Sequence, residues 1–277
     1  MRLLPLVLIG CLVGAPAVAA TTYTAASSNW AGYAVKAGGV TGAAATWTVP
    51  AVTTDGYSST WVGIGGIRGG SLLQVGTEQN LTPAGPRYFL WWEALPQAQR
   101  PVLEVSPGDT VHASVRQAGG NLWRVRVIDQ TTGQRFTRLV RYRLSRTSAE
   151  WVEEDPTQVG AGLLPLADFG SVTFQNATVS LHGRTYSPAQ LNNLALTLGS
   201  PYGQAQAAPG PLSSSGGFTV QYAAPQAPVP AYAPPQFQVQ VAPYPPPDTG
   251  RLLRELRREI RLLRQLQREM YSYGYGY

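Results

Sequence analysis

Glu150 sits in the stretch Ser148-Ala149-Glu150-Trp151-Val152-Glu153-Glu154-Asp155, which gathers four carboxylates and an indole in a chain with only 13% charged residues. On a strand it shares a face with Val152 and Glu154, while Ala149 and Trp151 point the other way. A carboxylate held among apolar neighbours is costly unless it is hydrogen-bonded or put to use, and general acid–base work is one such use. Further polar groups stand among aromatic or apolar residues. Gln74 lies inside Leu72-Leu73-Gln74-Val75-Gly76, Glu93 follows Trp91-Trp92, and Trp61 opens Trp61-Val62-Gly63-Ile64-Gly65-Gly66. Taken singly, each is most simply a hydrogen-bonded core group. Glu153, Glu154 and Asp155 read as strand-end and turn acids in solvent.

Other machineries find little support. The two histidines, His112 and His182, have no Gly-x-Ser-x-Gly elbow near them and no second histidine four residues on, which argues against Ser-His-Asp triads and helix-borne zinc sites. Asp248-Thr249-Gly250 spells an aspartic-peptidase triplet, but it follows Pro245-Pro246-Pro247 and opens an Arg-rich helix, where an N-cap is the simpler role. Cys11 is the sole cysteine and lies in the leader, so a mature chain cut after it has no disulfide and no thiolate nucleophile.

The elements that must position the candidates are strands. Glycine, proline, threonine, tyrosine and tryptophan are abundant and charge is scarce, which favours a turn-rich all-β domain. Strands are expected at Asn29–Val35, Gly42–Val49, Ser58–Ile64, Ser71–Val75, Arg87–Ala94, Thr110–Gln117, Leu122–Asp129, Gln134–Tyr142, Ala149–Glu153, Gly170–Gln175 and Gly217–Tyr222. Their spacing and turn punctuation indicate an antiparallel sandwich or barrel, with the clearest hairpin turning at Asp129-Gln130-Thr131-Thr132-Gly133. The net charge of +6 is uneven: Thr21 to Ser200 carries 13 basic and 11 acidic residues, a net of +2. No nucleic-acid footprint is needed.

Residues 1–20 read as a signal peptide: Arg2, an apolar run from Leu3 to Val13, then Ala17-Val18-Ala19 as a cleavage site. A secreted or cell-envelope protein starting near Ala20 or Thr21 is expected, with lipidation of Cys11 in Leu8-Ile9-Gly10-Cys11 as the alternative. Residues 21–224 form the β-sandwich domain. Residues 225–247 are a linker with nine prolines in 23 residues and no charge. Residues 248–277 form an amphipathic Arg-rich helix with a Tyr/Gly tail, and Leu253, Leu256, Ile260 and Leu263 make a seam for self-association or envelope attachment.

Order and context join these signals. Ser28-Asn29-Trp30-Ala31-Gly32, Thr46-Trp47-Thr48-Val49-Pro50, Trp61-Val62-Gly63-Ile64, Leu73-Gln74-Val75-Gly76, Trp91-Trp92-Glu93, Ser106-Pro107-Gly108-Asp109, Ala149-Glu150-Trp151-Val152-Glu153-Glu154 and Leu166-Ala167-Asp168-Phe169-Gly170-Ser171-Val172 run in the order in which similar segments occur in the glutamic peptidases, or eqolisins. The chain resembles a bacterial-type member of that family. The resemblance implies a concanavalin-like jelly roll of two large curved antiparallel sheets and a secreted acid endopeptidase acting on proteins or peptides. The catalytic pair falls on Gln74 and Glu150, with Glu93, Trp30, Trp61 and Trp91 shaping the cleft. Glu150 as general base and the Gln74 amide as oxyanion donor need no cofactor or metal, and a reference glutamate pKa of about 4.3 points to activity in mild acid. Gly65 stands where fungal members often carry an acid. The rival function is a non-catalytic carbohydrate- or peptide-binding β-sandwich at the cell surface.

Overall fold

The structure, a computed structural model, describes residues 20–67, 70–158, 162–199 and 204–223. The chain divides into two units, Met1–Ala227 and Pro228–Tyr277, and the fold described is that of the first. The leader up to residue 19 with Cys11, the linker and the helical seam of Leu253, Leu256, Ile260 and Leu263 lie outside the described residues.

Short runs of β-branched, aromatic and small residues, cut by glycine and proline, form strands throughout. They are β1 (Thr22–Ser27), β2 (Trp30–Lys36), β3 (Val40–Thr48), β4 (Gly56–Ile64), β5 (Leu73–Thr82), β6 (Gly85–Ala94), β7 (Arg100–Glu104), β8 (Thr110–Gly119), β9 (Leu122–Asp129), β10 (Arg135–Arg141), β11 (Ser148–Glu154), β12 (Thr157–Gln158), β13 (Gly162–Leu163), β14 (Ser171–Leu181), β15 (Arg184–Tyr186), β16 (Asn193–Gly199), β17 (Ala205–Pro209) and β18 (Phe218–Tyr222). A 16-stranded sheet runs β10-β9-β8-β3-β14-β18-β17-β16-β2-β11-β4-β5-β6-β7, with β1 beside β16 and β15 beside β14. Apart from β1, which lies parallel to β16, its ladders are antiparallel.

The sheet doubles over along β14. Ser171–Phe174 pairs with β18, and from Gln175 onward the strand pairs with β3, with a register shift between Gln175 and Thr178. Asn176 sits in that shift with φ of 52°, and such a bulge bends a strand from one layer into the next. β4, β5 and β11 of one layer then pack on β3, β8 and β9 of the other. This is the expected sandwich of curved antiparallel sheets.

Between the layers lies a core that includes Trp47, Trp123, Trp151, Phe174, Leu73 and Val125. Two indoles also tie the layers through their N–H groups: Trp151 Nε1 donates to the Ala44 carbonyl at 2.9 Å, and Trp47 Nε1 to Thr77 Oγ1 at 3.1 Å. Strand alternation sends the remaining residues of β4, β5 and β11 to the opposite face. There Trp61, Leu72, Phe89, Trp91 and Val152, with Trp30 against them, form a second apolar cluster.

The expected strands are present, and the Asp129–Gly133 turn closes its hairpin with the Asp129 carboxylate accepting from the backbone N–H groups of Thr131 and Thr132. Several strands were not expected. β7 contains Pro101, and it pairs only at the sheet edge, where proline is tolerated. β5 continues past Val75 because Thr77, Glu78 and Gln79 are buried instead of forming a turn. β14 runs six residues beyond Gln175 because the bulge, not a loop, follows it.

Candidate active site

The sheet register brings the candidates together. Glu150 on β11 pairs with Gly63 on β4, Gly63 pairs with Gln74 on β5, and Gln74 pairs with Glu93 on β6. Directly paired residues on neighbouring strands point to the same face, so these four form one rung on the face away from the main core. Neighbouring strands lie about 4.8 Å apart, which puts the backbones of Glu150 and Gln74 about 10 Å apart with no side chain between them. The space is needed. A Cβ at Gly63 would lie 2.9 Å from Trp61 Cζ3, 3.0 Å from Leu72 Cδ1 and 3.2 Å from Gln74 Cβ.

The next rung on this face is apolar, Val152-Trp61-Gly76-Trp91. Gly76 leaves room for its neighbour, since a Cβ there would meet Trp61 Cβ at 2.5 Å. Beyond it comes a second polar rung, Trp30-Glu154-Ser59-Glu78. Trp30 meets Trp61 edge to face, with centroids 5.0 Å apart. All six residues singled out in the sequence, Gln74, Glu150, Glu93, Trp30, Trp61 and Trp91, therefore occupy one face. Glu78 and Gly63 join them unforeseen, and Glu154 joins them as its parity with Glu150 requires. The signal for the two acids was strand parity: each lies four residues beyond a singled-out side chain, Gln74 or Glu150, and so shares its face.

The pair differs sharply in its contacts. Gln74, 4% exposed, donates from Nε2 to Glu93 Oε2, and its Oε1 has no partner among the described residues. Glu150 is fully buried, and among the described residues neither of its carboxyl oxygens has a hydrogen-bond partner. Burial pushes its pKa up to about 7; the Ser148 hydroxyl and the backbone N–H groups of Ile67 and Gly66 lie close enough to oppose that rise without reaching hydrogen-bond geometry. In the resting fold Glu150 is thereby displaced upward from the ordinary glutamate range, because desolvation outweighs its dipolar neighbours. Burial also raises Glu93, against the hydrogen bond from Gln74.

Glu153, Glu154 and Asp155 are not solvated as expected. Glu153 points into the main core, fully buried, and accepts from Thr60 Oγ1. Burial raises it to about 8. Glu154 is half-buried on the site face, where Trp61 Nε1 donates to it at 2.6 Å and Asn29 Nδ2 at 2.9 Å. It too is raised to about 8, with burial the largest cause and the charges of Glu93 and Glu78 adding to it. Glu78 is pushed up to about 7, chiefly by burial, and Asp155 likewise to about 7. The alternation of the strand, not its end, decides these environments: Glu153 takes the core parity and Glu154 the site parity.

The histidines lie elsewhere. His112 faces out from β8 with Nδ1 3.0 Å from Thr46 Oγ1, and His182 occupies the turn before β15 with φ of 48°. Among the described residues no group of His, Cys, Asp and Glu side chains converges as a metal site. A cavity of about 510 Å³ opens beside Thr173, Gln175, Gly210 and Ser213, but it carries no acid or base.

Chemistry that runs on a carboxyl and a carboxamide, without histidine or thiol, belongs to the carboxyl-dependent hydrolases. Comparison with known proteins narrows that class: residues 28–222 match the Peptidase A4 family, and the chain belongs to it. Aspergillopepsin-2 of Aspergillus niger is 31% identical over 198 residues, covering 61% of this chain and 70% of that protein. Aspergilloglutamic peptidase from Aspergillus niger superposes with a TM-score of 0.54 at 29% identity, covering 60% of this chain and 99% of that one. Scytalido-glutamic peptidase, solved with a transition state analog inhibitor, shares the fold with a TM-score of 0.64 at 22% identity, over 71% of this chain and 98% of that one. The chain is thus a peptide-bond hydrolase of the glutamic type, and the binding-module alternative falls away.

Proposed function

We propose that Glu150 is the general base and Gln74 the oxyanion donor of an exported endopeptidase that works on the acid side of neutrality. The observation that carries this assignment is the shared rung: a buried carboxyl and a buried carboxamide on one face, separated by a glycine. Three polar atoms there, both Glu150 oxygens and Gln74 Oε1, lack partners among the described residues. Such atoms call for a water or a substrate group.

Ionised Glu150 takes a proton from a water as its oxygen attacks the scissile carbonyl carbon. The carbonyl becomes an oxyanion, and the Gln74 N–H not engaged by Glu93 donates to it. Glu150 then returns the proton to the amide nitrogen, the C–N bond breaks, and a carboxylic acid and an amine leave. Glu93 acts as a positioning residue: by accepting from Nε2 it fixes which end of the Gln74 carboxamide faces the substrate. Two limits confine the activity. Protonation of Glu150 closes it from below, at a pH that falls once an entering water relieves the desolvation of that carboxyl, and ionisation of carboxyls that the fold holds neutral closes it from above.

Gln74→Ala tests the oxyanion role. A fall in kcat of about a hundredfold or more, with KM and thermal melting little changed, is expected from loss of such a donor; a wild-type kcat overturns it. Export rests on the leader of residues 1–20. Sequencing the mature N-terminus from culture medium is expected to give Ala20 or Thr21. A chain retained in the cytosol with Met1 intact, or one acylated at Cys11, contradicts that start.

A further inference from the structure

The outward face of β8, β9 and β10 carries five arginines and no acid. Arg116 lies directly opposite Arg124, which lies opposite Leu139; Arg126 lies between Ser114 and Thr137; Arg135 and Arg141 lie opposite Ile128 and Leu122. All five arginines are exposed, and so is Leu139, at 53%. The layer continues into β3 and β14 with Gly42, Ala44, Thr46, Thr178 and Ser180 on the same face, again without a carboxylate. Among the described residues none of these arginines forms an ion pair. Arg138 shows the contrast: it takes the other parity of β10 and sits over the Trp92 ring at 5.5 Å.

This arrangement works against stability, because like charges directly opposite on neighbouring strands repel. Acids were available: the chain from Thr21 to Ser200 has 11. Five of them, Glu78, Glu150, Glu153, Glu154 and Asp155, are instead committed to the site and the core around it. A near-balanced domain is thereby segregated into an acidic interior and a cationic exterior face, which is the footprint of an anionic partner.

We propose that this strand face docks the enzyme on an anionic phospholipid surface. The arginines spread in two dimensions, across three strands and from Arg135 to Arg141 along β10, an area of about 10 by 20 Å. A plane of headgroups meets such an array at once, whereas a linear polyanion follows a single row. Leu139, exposed on the edge strand β10 opposite Arg124, supplies the apolar contact that a lipid interface accepts and a soluble polyanion does not. Phosphate esters also keep their charge in mild acid, where carboxylates with a pKa of about 4 are losing theirs.

The test uses the full-length protein and vesicles of phosphatidylcholine alone or mixed in equal parts with phosphatidylglycerol. Co-sedimentation only with the anionic vesicles, weakened by salt, is expected. Replacing Arg124, Arg126 and Arg135 together by Gln is expected to weaken it about a hundredfold, given the attraction of each basic residue to an anionic leaflet. Replacing Arg251, Arg254 and Arg258 by Gln is expected to leave most of the binding. Unchanged thermal melting and peptide hydrolysis in both variants shows that only docking was altered. Leu139→Ser is expected to weaken vesicle binding but not binding to soluble polyphosphate. The proposal is overturned if anionic vesicles fail to bind, if only the second arginine set matters, or if Leu139→Ser has no effect while polyphosphate competes the vesicles away.

Discussion

Glu150 and Gln74 face the same side of one rung of the sheet, two strands apart, with Gly63 the residue between them. Their separation is thus fixed by backbone hydrogen bonding and not by loops. Rigid elements hold reacting groups to the tolerance that catalysis requires.

The glycine between them is expected to be required for rate more than for folding. Gly63→Ala puts a methyl 2.9 Å from the Trp61 ring and 3.2 Å from Gln74 Cβ, and one of them must move. Overpacking of this kind costs about 1–3 kcal/mol. Steady-state kinetics beside a thermal melt should show a loss of kcat of about tenfold or more, larger than the modest drop in stability suggests.

Glu93 is expected to act through Gln74. Glu93→Gln keeps an oxygen that can accept from Nε2 but also permits the reversed amide pairing, while Glu93→Leu keeps no acceptor. The expected order of kcat is wild type, then Gln, then Leu, with KM moving less than kcat. Equal kcat in all three would remove Glu93 from the positioning role.

The acid limb of the kcat/KM profile should report Glu150, above the value of a solvated glutamate because burial raises it toward 7. The Ser148 hydroxyl opposes that rise. Ser148→Ala therefore shifts the limb to higher pH, and a limb that stays in place or moves down contradicts the cause assigned.

Glu153 links pH to stability. Its folded pKa, about 8, lies above the ordinary 4.5, so the folded state holds a proton that the unfolded chain releases. The resulting stabilisation is complete below about 4.5 and is lost as pH rises through about 8. Each pKa unit is worth about 1.4 kcal/mol, against a total stability of about 5–15 kcal/mol. Melting temperature should fall steeply from mild acid to pH 8, and Glu153→Gln, which mimics the protonated side chain, should flatten that fall. Parallel curves would show that Glu153 carries none of it.

Much of this was legible in the amino-acid sequence because strand parity is local. The alternation Ala149-Glu150-Trp151-Val152 assigns Glu150 to the face opposite the core, and the ordered segments from Ser28 to Val172 carry the family. Partnership across the sheet was not legible in the same way: the rung joining Glu150 to Gln74 passes through Gly63, and register depends on the whole ladder. The polar run Thr77-Glu78-Gln79 read as the end of a strand, yet Gln79 donates to Thr77 and accepts from Ser58 within the core. Glu153 entered the same core because Thr60 supplies it a partner. Buried acids of this kind follow from three-dimensional hydrogen bonding, which composition and periodicity do not encode. The spacing of Glu78 from Gln74 and of Glu154 from Glu150, however, was available to a parity argument.

The most direct measurement is hydrolysis of an unfolded protein substrate at mildly acid pH by Glu150→Gln, which keeps the volume and hydrogen-bonding capacity of the side chain and removes only its basicity. A fall in kcat of about a hundredfold or more is expected, with the thermal melt of the variant matching or exceeding that of the wild type. Hydrolysis at the wild-type rate by a correctly folded Glu150→Gln protein would contradict the assignment of Glu150 as the base.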